Sequence, residues 1–213
     1  MIEFFLDKSH YSLNISKRVY ALLKIKEQTD FFALITITVV LFFLAVSTLF
    51  SQSNDKIEML LDQLAIAESD NDARLIRKKI WLLWLDGYED QKNKPKIDMA
   101  LELFNRGDLE KADRAFSEII ALEPGYVEGW NKRATLKFLL GDFSGSLLDI
   151  QEVLKRQPRH FGAISGSGLI HIHTKNFEDA YNTYMKLSQI DPLNEDSKRF
   201  LPMLENKIFG KSL

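Results

Sequence analysis

Cysteine is missing from all 213 residues, which excludes disulfides, thiolate catalysis, Cys-ligated zinc and a lipid-modified cysteine anchor while leaving the redox compartment open. Charge of one sign in excess is missing too. Twenty-eight Lys and Arg against 30 Asp and Glu leave a net charge of −2, so the chain lacks the clustered basic field of a nucleic-acid binder. Catalytic signatures are also absent: there is no Gly-x-Ser-x-Gly elbow, no His-Glu-x-x-His and no Walker-type loop. The carboxylates are instead spread at the spacing of exposed helix faces. A non-catalytic chain without cofactor, metal or nucleic-acid partner is expected.

What the chain does have is apolar material, 46% of its residues against 27% charged, enough for one domain of about 150 residues and an appendage. Between Phe31 and Phe50, FFALITITVVLFFLAVSTLF, twenty residues run without a charge. At about 1.5 Å rise per residue a helix of that length covers the roughly 30 Å hydrocarbon thickness, so the run predicts a membrane span. Lys17, Arg18, Lys24 and Lys26 precede it and only Lys56 follows closely. The positive-inside bias therefore places residues 1–30 in the cytoplasm and the rest on the other side of the membrane. Phe4, Phe5 and Leu6 in the lead are compatible with a short surface helix or a solvated tail. The apolar run and its basic lead both exceed those of a usual secretory signal, so an uncleaved anchor is expected; small residues at Ala45 and Ser47, or Ser51 and Ser53, leave a cleaved, soluble periplasmic product as the alternative.

After residue 95 one interval repeats. Pro124, Pro158 and Pro192 stand 34 residues apart, and GDLEKADRAF, GDFSGSLLDI and KNFEDAYNTY start at Gly107, Gly141 and Lys175 with the same step. Within each unit apolar residues recur at helical spacing: Leu101 and Phe104, then Ala112, Phe116 and Ile119; Ala134 and Phe138, then Leu147, Ile150 and Val153. Each unit therefore predicts two amphipathic helices, with Gly107 and Gly141 ending the first, Asp108 and Asp142 starting the second, and the prolines closing the unit.

These residues resemble the tetratricopeptide repeat, a 34-residue helix pair with small residues where helices cross and a closing proline. On that resemblance the small slot of the first helix holds Ala100, Ala134 and Gly168. The small slot of the second holds Ala112, Ser146 and Ala180, beside the large partners Phe116, Ile150 and Tyr184. Trp130 alone fills the early aromatic slot. Lys175 departs from the turn glycine, and Ile119, Val153 and Leu187 replace a usual alanine. The stretch 129–163 is also similar to membrane-anchored tetratricopeptide proteins of alphaproteobacteria. The resemblance implies an all-α solenoid of three repeats, 93–124, 125–158 and 159–192, behind the N-terminal transmembrane helix. Residues 55–90 read as a degenerate helix pair across the turn SDND, with Trp81 and Trp84 assigned to a core-and-cap contact, and 86–96 as a polar connection. Residues 193–213 form a capping helix that Pro202 is expected to kink or break.

The stretch PRHFGAISGSGLIHIH, residues 158–173, has the residue types of a phosphate loop or a metal site. In this register it is the first helix of the third repeat, without the strand-to-helix loop that phosphate patterns require. His171 and His173, two apart, point about 200° away from each other and cannot share a metal. Gly168 sits at a helix crossing; Gly162 and Gly166 either admit a close neighbour or open the groove. The function implied is a scaffold that binds an extended peptide or a helix of another protein in the repeat groove, an accessory subunit of envelope enzyme or cytochrome maturation being the alternative. By the resemblance the groove draws on Leu101, Phe104, Glu128, Asn131, Lys132, Thr135, Phe138, Ser165, Leu169, Ile172 and His173. Arg133, Arg159 and His160 join Asn131 and Lys132 as donors to an acidic segment, unless these charges are solvated or paired internally.

Overall fold

The computed structural model describes residues 54–210 together with Thr38. The span expected at 31–50, the lead at 1–30, the cleavage positions and the last residues of the cap lie outside the described residues; among those described, no helix is long and apolar enough to cross a membrane.

The described chain is helical throughout, without strands. A helix over residues 54–65 (α1) is followed by α2 (Asp70–Leu85), a short 3-10 turn at Gln91–Asn93, α3 (Lys94–Arg106) and α4 (Leu109–Leu122). Then come α5 (Val127–Leu139), α6 (Phe143–Arg156), α7 (Phe161–His173), α8 (Phe177–Ile190) and α9 (Glu195–Phe209). Each helix from α3 onward packs on the next, and α5 also touches α7, so that α3 to α9 form a tetratricopeptide-like solenoid.

The local causes are visible at each boundary. Gly107 (φ 75°) caps α3 and Gly141 (φ 82°) follows α5, both in the left-handed region. Lys175 takes the same conformation at φ 62° although it has a Cβ, which costs about 1 kcal/mol relative to glycine. The Asp142 side chain accepts from the Gly145 N–H and starts α6. Pro202 stands inside α9 without ending it; its ring is on the exposed face, where the carbonyl it frees one turn back can turn to water.

Small residues set the crossings. Ala100, Ala112 and Ala180 are fully buried, Ala134 nearly so, and the Ser146 hydroxyl donates to the Ala134 carbonyl at 2.7 Å. At Gly168 a Cβ would stand 2.7 Å from the Tyr184 ring, so glycine lets that ring lie on α7. Phe116, Ile150 and Tyr184 fill the second-helix positions, all buried. Trp130 donates its indole N–H to the Pro124 carbonyl at 3.0 Å and receives Arg133 and Arg156 on its faces.

The α1–α2 hairpin departs from the expected stacked repeat. Instead of stacking on α3 it lies along the solenoid, meeting the three turns between units in order: Leu85 at the first, Trp84 and Trp81 at the second, Arg77 at the third. The reason is in the junctions themselves. Glu123, Gln157 and Asp191, each just before a proline, are buried polar residues at the 34-residue step, as are Tyr126 and His160 three positions on. The connection after α2 gives Glu123 three donors, and α2 gives Asp191 the Arg77 guanidinium and His160 the face of Trp84.

Candidate functional site

Between α2 on one side and α5 and α7 on the other lies a cavity of about 780 Å³. Its floor is apolar and comes from the repeats: Phe138, Ile150, Phe161 and Leu169, with Phe104 from α3. Asn131, Lys132, Thr135 and Ser165 give polar edges. Asn71, Arg74, Arg77 and Trp81 of α2 line it as well, and Asp70, Glu195 and Asp196 add acidic groups.

Of the residues expected in a groove, seven line this cavity: Phe104, Asn131, Lys132, Thr135, Phe138, Ser165 and Leu169. The signature residues Ala134, Ser146 and Ile150 reach it too. The others are placed elsewhere. Leu101 packs on the core of the first repeat and Ile172 on that of the third. His173 packs on Phe138 and Phe143, with ring centroids 5.3 and 5.5 Å away. Glu128 is fully buried; it accepts from Asn131 at 3.2 Å and lies 3.0 Å from Nε2 of His160. Nδ1 of His160 accepts the Ala163 N–H and so caps α7, which puts the ring proton on Nε2, donating to Glu128. The His160 ring itself stacks on Trp84 at 3.9 Å.

The basic trio does not form one surface. Lys132 alone lines the cavity, its Nζ 5.4 Å from the Trp81 ring and 5.2 Å from Phe104, each within cation–π range. Arg133 points to α6 and grips Asp149 with two hydrogen bonds of 2.8 and 2.7 Å, Ser117 taking a third. The Asp149 carboxylate, also 2.8 Å from Lys137, holds the Arg133 guanidinium above its ordinary value. Arg159 pairs with Glu58 at 3.0 Å and Asp62 at 2.7 Å on α1. On a helix adjacent residues diverge by about 100°, so the neighbours Lys132 and Arg133 leave α5 on different faces.

The glycines in α7 separate by role. A Cβ on Gly162 would stand 2.8 Å from the Trp81 ring, so this glycine is a notch that admits Trp81; at Gly166 the nearest atom is Ile150 Cδ1 at 3.6 Å, and that position borders the cavity. His171 is turned to the interior, its Nδ1 buried without a partner. Among the described residues no group of three or more His, Asp or Glu is gathered as metal ligands would be.

The sequence reading missed the residues that tie α2 to the junctions. Arg77 donates to Asp191 at 2.8 Å and to the Leu193 carbonyl at 3.5 Å. The Tyr126 hydroxyl donates to the Leu85 carbonyl at 3.0 Å, and burial pushes that phenol far above its ordinary pKa, Glu128 adding to the effect. Glu123 accepts from the backbone N–H groups of Glu89 and Asp90 and from the Asn93 amide. Ser165 donates to Asp196 at 2.5 Å, joining α7 to α9. The signal was present as the polar residues around each proline, EPGY, QPRH and DPLN.

No protein-family model matches the chain. A TPR repeat-containing protein of Rhizobium etli is 30% identical over 164 residues, which cover 75% of this chain and 78% of that protein. Among solved structures, the first TPR of Spaghetti (RPAP3), bound to the HSP90 peptide SRMEEVD, superposes with a TM-score of 0.54 at 17% identity, over 57% of this chain and 97% of that one. The Sgt2 TPR domain from Aspergillus fumigatus gives 0.52 at 17% identity, over 57% and 82%. These two structural likenesses concern the fold.

Proposed function

The chain belongs to the tetratricopeptide-repeat proteins, and on that premise we propose that it is a non-catalytic interaction module whose cavity between α2, α5 and α7 holds a segment of another protein. The observation that carries this is the cavity itself. About 780 Å³ with an apolar floor and a few polar edges suits apolar side chains held in register by hydrogen bonds, the usual make-up of a recognition site. One structurally similar domain has a peptide bound.

The proposal extends to location. The uncharged run at 31–50 and the basic residues before it support an inner-membrane anchor with residues 1–30 inside and the repeats on the extracytoplasmic side.

The test uses a photoreactive amino acid at Leu169, inside the cavity, and at Leu148, exposed on α6 outside it. In intact cells the expected result is one discrete adduct from Leu169 and none from Leu148. Equal labelling at both positions, or none at either, overturns the site. Protease added to spheroplasts should digest the repeats; a protected domain overturns the topology and leaves the site standing.

A further inference from the structure

The outer side of the hairpin differs from the other exposed helix faces. Leu75 and Leu82 of α2 are 47 and 56% exposed and stand about two turns apart. Each is two positions from buried residues, Leu75 from Ala73 and Leu82 from Ile80 and Trp84, which is about 200° around the helix. Both leucines therefore point away from the core that the hairpin shares with α7 to α9. Met59 does the same on α1, two positions from buried Ile57 and Leu61, and is 52% exposed. Ile66, in the turn between the two helices, is 79% exposed.

Charge separates this face from an ordinary wet one. Lys78 and Lys79 are exposed on either side of the line from Leu75 to Leu82, and neither has a carboxylate partner among the described residues. From Ala73 to Leu85 α2 carries four cations and no acid; its acids stand at its ends, Asp70 and Asp72 in the first turn and Asp86 after the last. On α1 the exposed Glu58 and Asp62 are taken up by Arg159. The exposed faces of α4 and α8 mix signs instead, with Glu110, Lys111, Arg114 and Glu118 on one and Glu178, Asp179 and Lys186 on the other. A lone exposed leucine needs no partner. A line of apolar residues flanked by lysines is the pattern of a helix lying in a membrane interface, where lysine stems follow the apolar surface and the ammonium groups reach the head groups.

We propose that the outer face of the hairpin, Leu75, Lys78, Lys79 and Leu82 with Met59, lies on the surface of an anionic bilayer, its leucines among the upper acyl chains and its lysines at lipid phosphates. Chain order favours a bilayer over a protein as the occupant: the uncharged run ends at Phe50 and α1 begins at residue 54, so the hairpin is the first described element after that run. The inference rests on the membrane anchor proposed above and is independent of what the cavity binds. Asn71, Arg74 and Trp81 of the same helix line the cavity. Lipid contact along α2 would therefore fix the orientation of the binding site relative to the membrane.

Since the chain has no cysteine of its own, Leu75→Cys and, as a control, Leu148→Cys on the exposed side of α6 can each carry one polarity-sensitive fluorophore. The full chain is reconstituted in phosphatidylcholine vesicles with and without phosphatidylglycerol, part of the lipid bearing a nitroxide just below its headgroup. In the anionic vesicles the nitroxide is expected to quench the label at Leu75 at least about twofold more strongly than the label at Leu148. Lys78→Glu with Lys79→Glu, both exposed positions, should abolish the difference without loss of helicity. Equal quenching at the two positions in vesicles with which the chain floats overturns the face and leaves the anchor standing; a chain that does not float overturns both. Quenching at Leu75 that survives the charge reversal overturns the assignment of the lysines to lipid phosphates. A blue shift already present in detergent that grows with protein concentration gives the face to a second copy of the chain and overturns the proposal.

Discussion

Two kinds of helix contact coexist in this molecule. Between repeats, small residues bring backbones together, a large partner fills the gap, and the polar groups are spent on short bonds such as Ser146 to Ala134. Between the hairpin and the repeats, charged and aromatic side chains reach across, and two buried atoms stay unpaired. The first contact is made of shape and cannot be screened. The second adds charge and ring contacts to an apolar core that the hairpin shares with α7 to α9, so salt reaches only its exposed ion pairs.

The largest expected effect breaks a contact within the repeats. Arg133→Ala strips Asp149 of two hydrogen bonds while leaving Lys137 beside it, and should lower the global unfolding free energy by about 2–3 kcal/mol in denaturant titration. An unchanged midpoint would mean that the pair contributes little to the solenoid.

Raising the pH probes both contacts at once. Burial holds the phenols of Tyr126, at the hairpin contact, and Tyr184, within the repeats, above their ordinary range. The folded chain therefore keeps protons that the unfolded chain has lost above pH about 10. Stability from these groups is complete below that pH and falls as pH rises, by up to about 1.4 kcal/mol per unit for each tyrosine. Melting followed from pH 9 to 12 should show the decline beginning near 10; Tyr126→Phe should make the slope shallower.

A smaller effect of opposite sign is expected at the one turn where the repeat pattern lacks its glycine. Lys175→Gly relieves the left-handed conformation of a residue with a Cβ and should raise stability by about 1 kcal/mol, read as a melting shift of a few degrees. No gain would place the cost elsewhere in the turn.

The smallest effect separates the two contacts most sharply. At 1 M salt the exposed ties of Arg159 and Lys198 lose up to about 1 kcal/mol each, so hydrogen exchange in α1–α2 should accelerate several-fold while α5–α8 stays unchanged. Parallel acceleration in both regions would show a single cooperative unit.

The solenoid was legible because its cause is local and repeated. Pro124, Pro158 and Pro192, the small residues at 100, 134 and 168, and the apolar stripes all act within one unit or its neighbour. The path of the hairpin was not legible, since the contacts of Arg77 and Trp84 join positions 114 and 76 residues apart and leave no periodic trace. Half of the expected groove shared this fate: Arg133 and Arg159 were grouped with Lys132 by nearness in sequence, whereas helix rotation and the acids of α1 and α6 draw them apart. Gly162 was readable as a close approach, but its visitor, Trp81, belongs to another segment.

The junction contacts also bear on how such a chain can change length. Repeat arrays grow and shrink by whole units, and the solenoid alone would tolerate one more. The hairpin would not, because a single straight stretch from Arg77 to Leu85 must reach the third junction at one end and the first at the other. An inserted unit would carry one of those junctions beyond it. The hairpin is thus a gauge, matched to the three turns it meets.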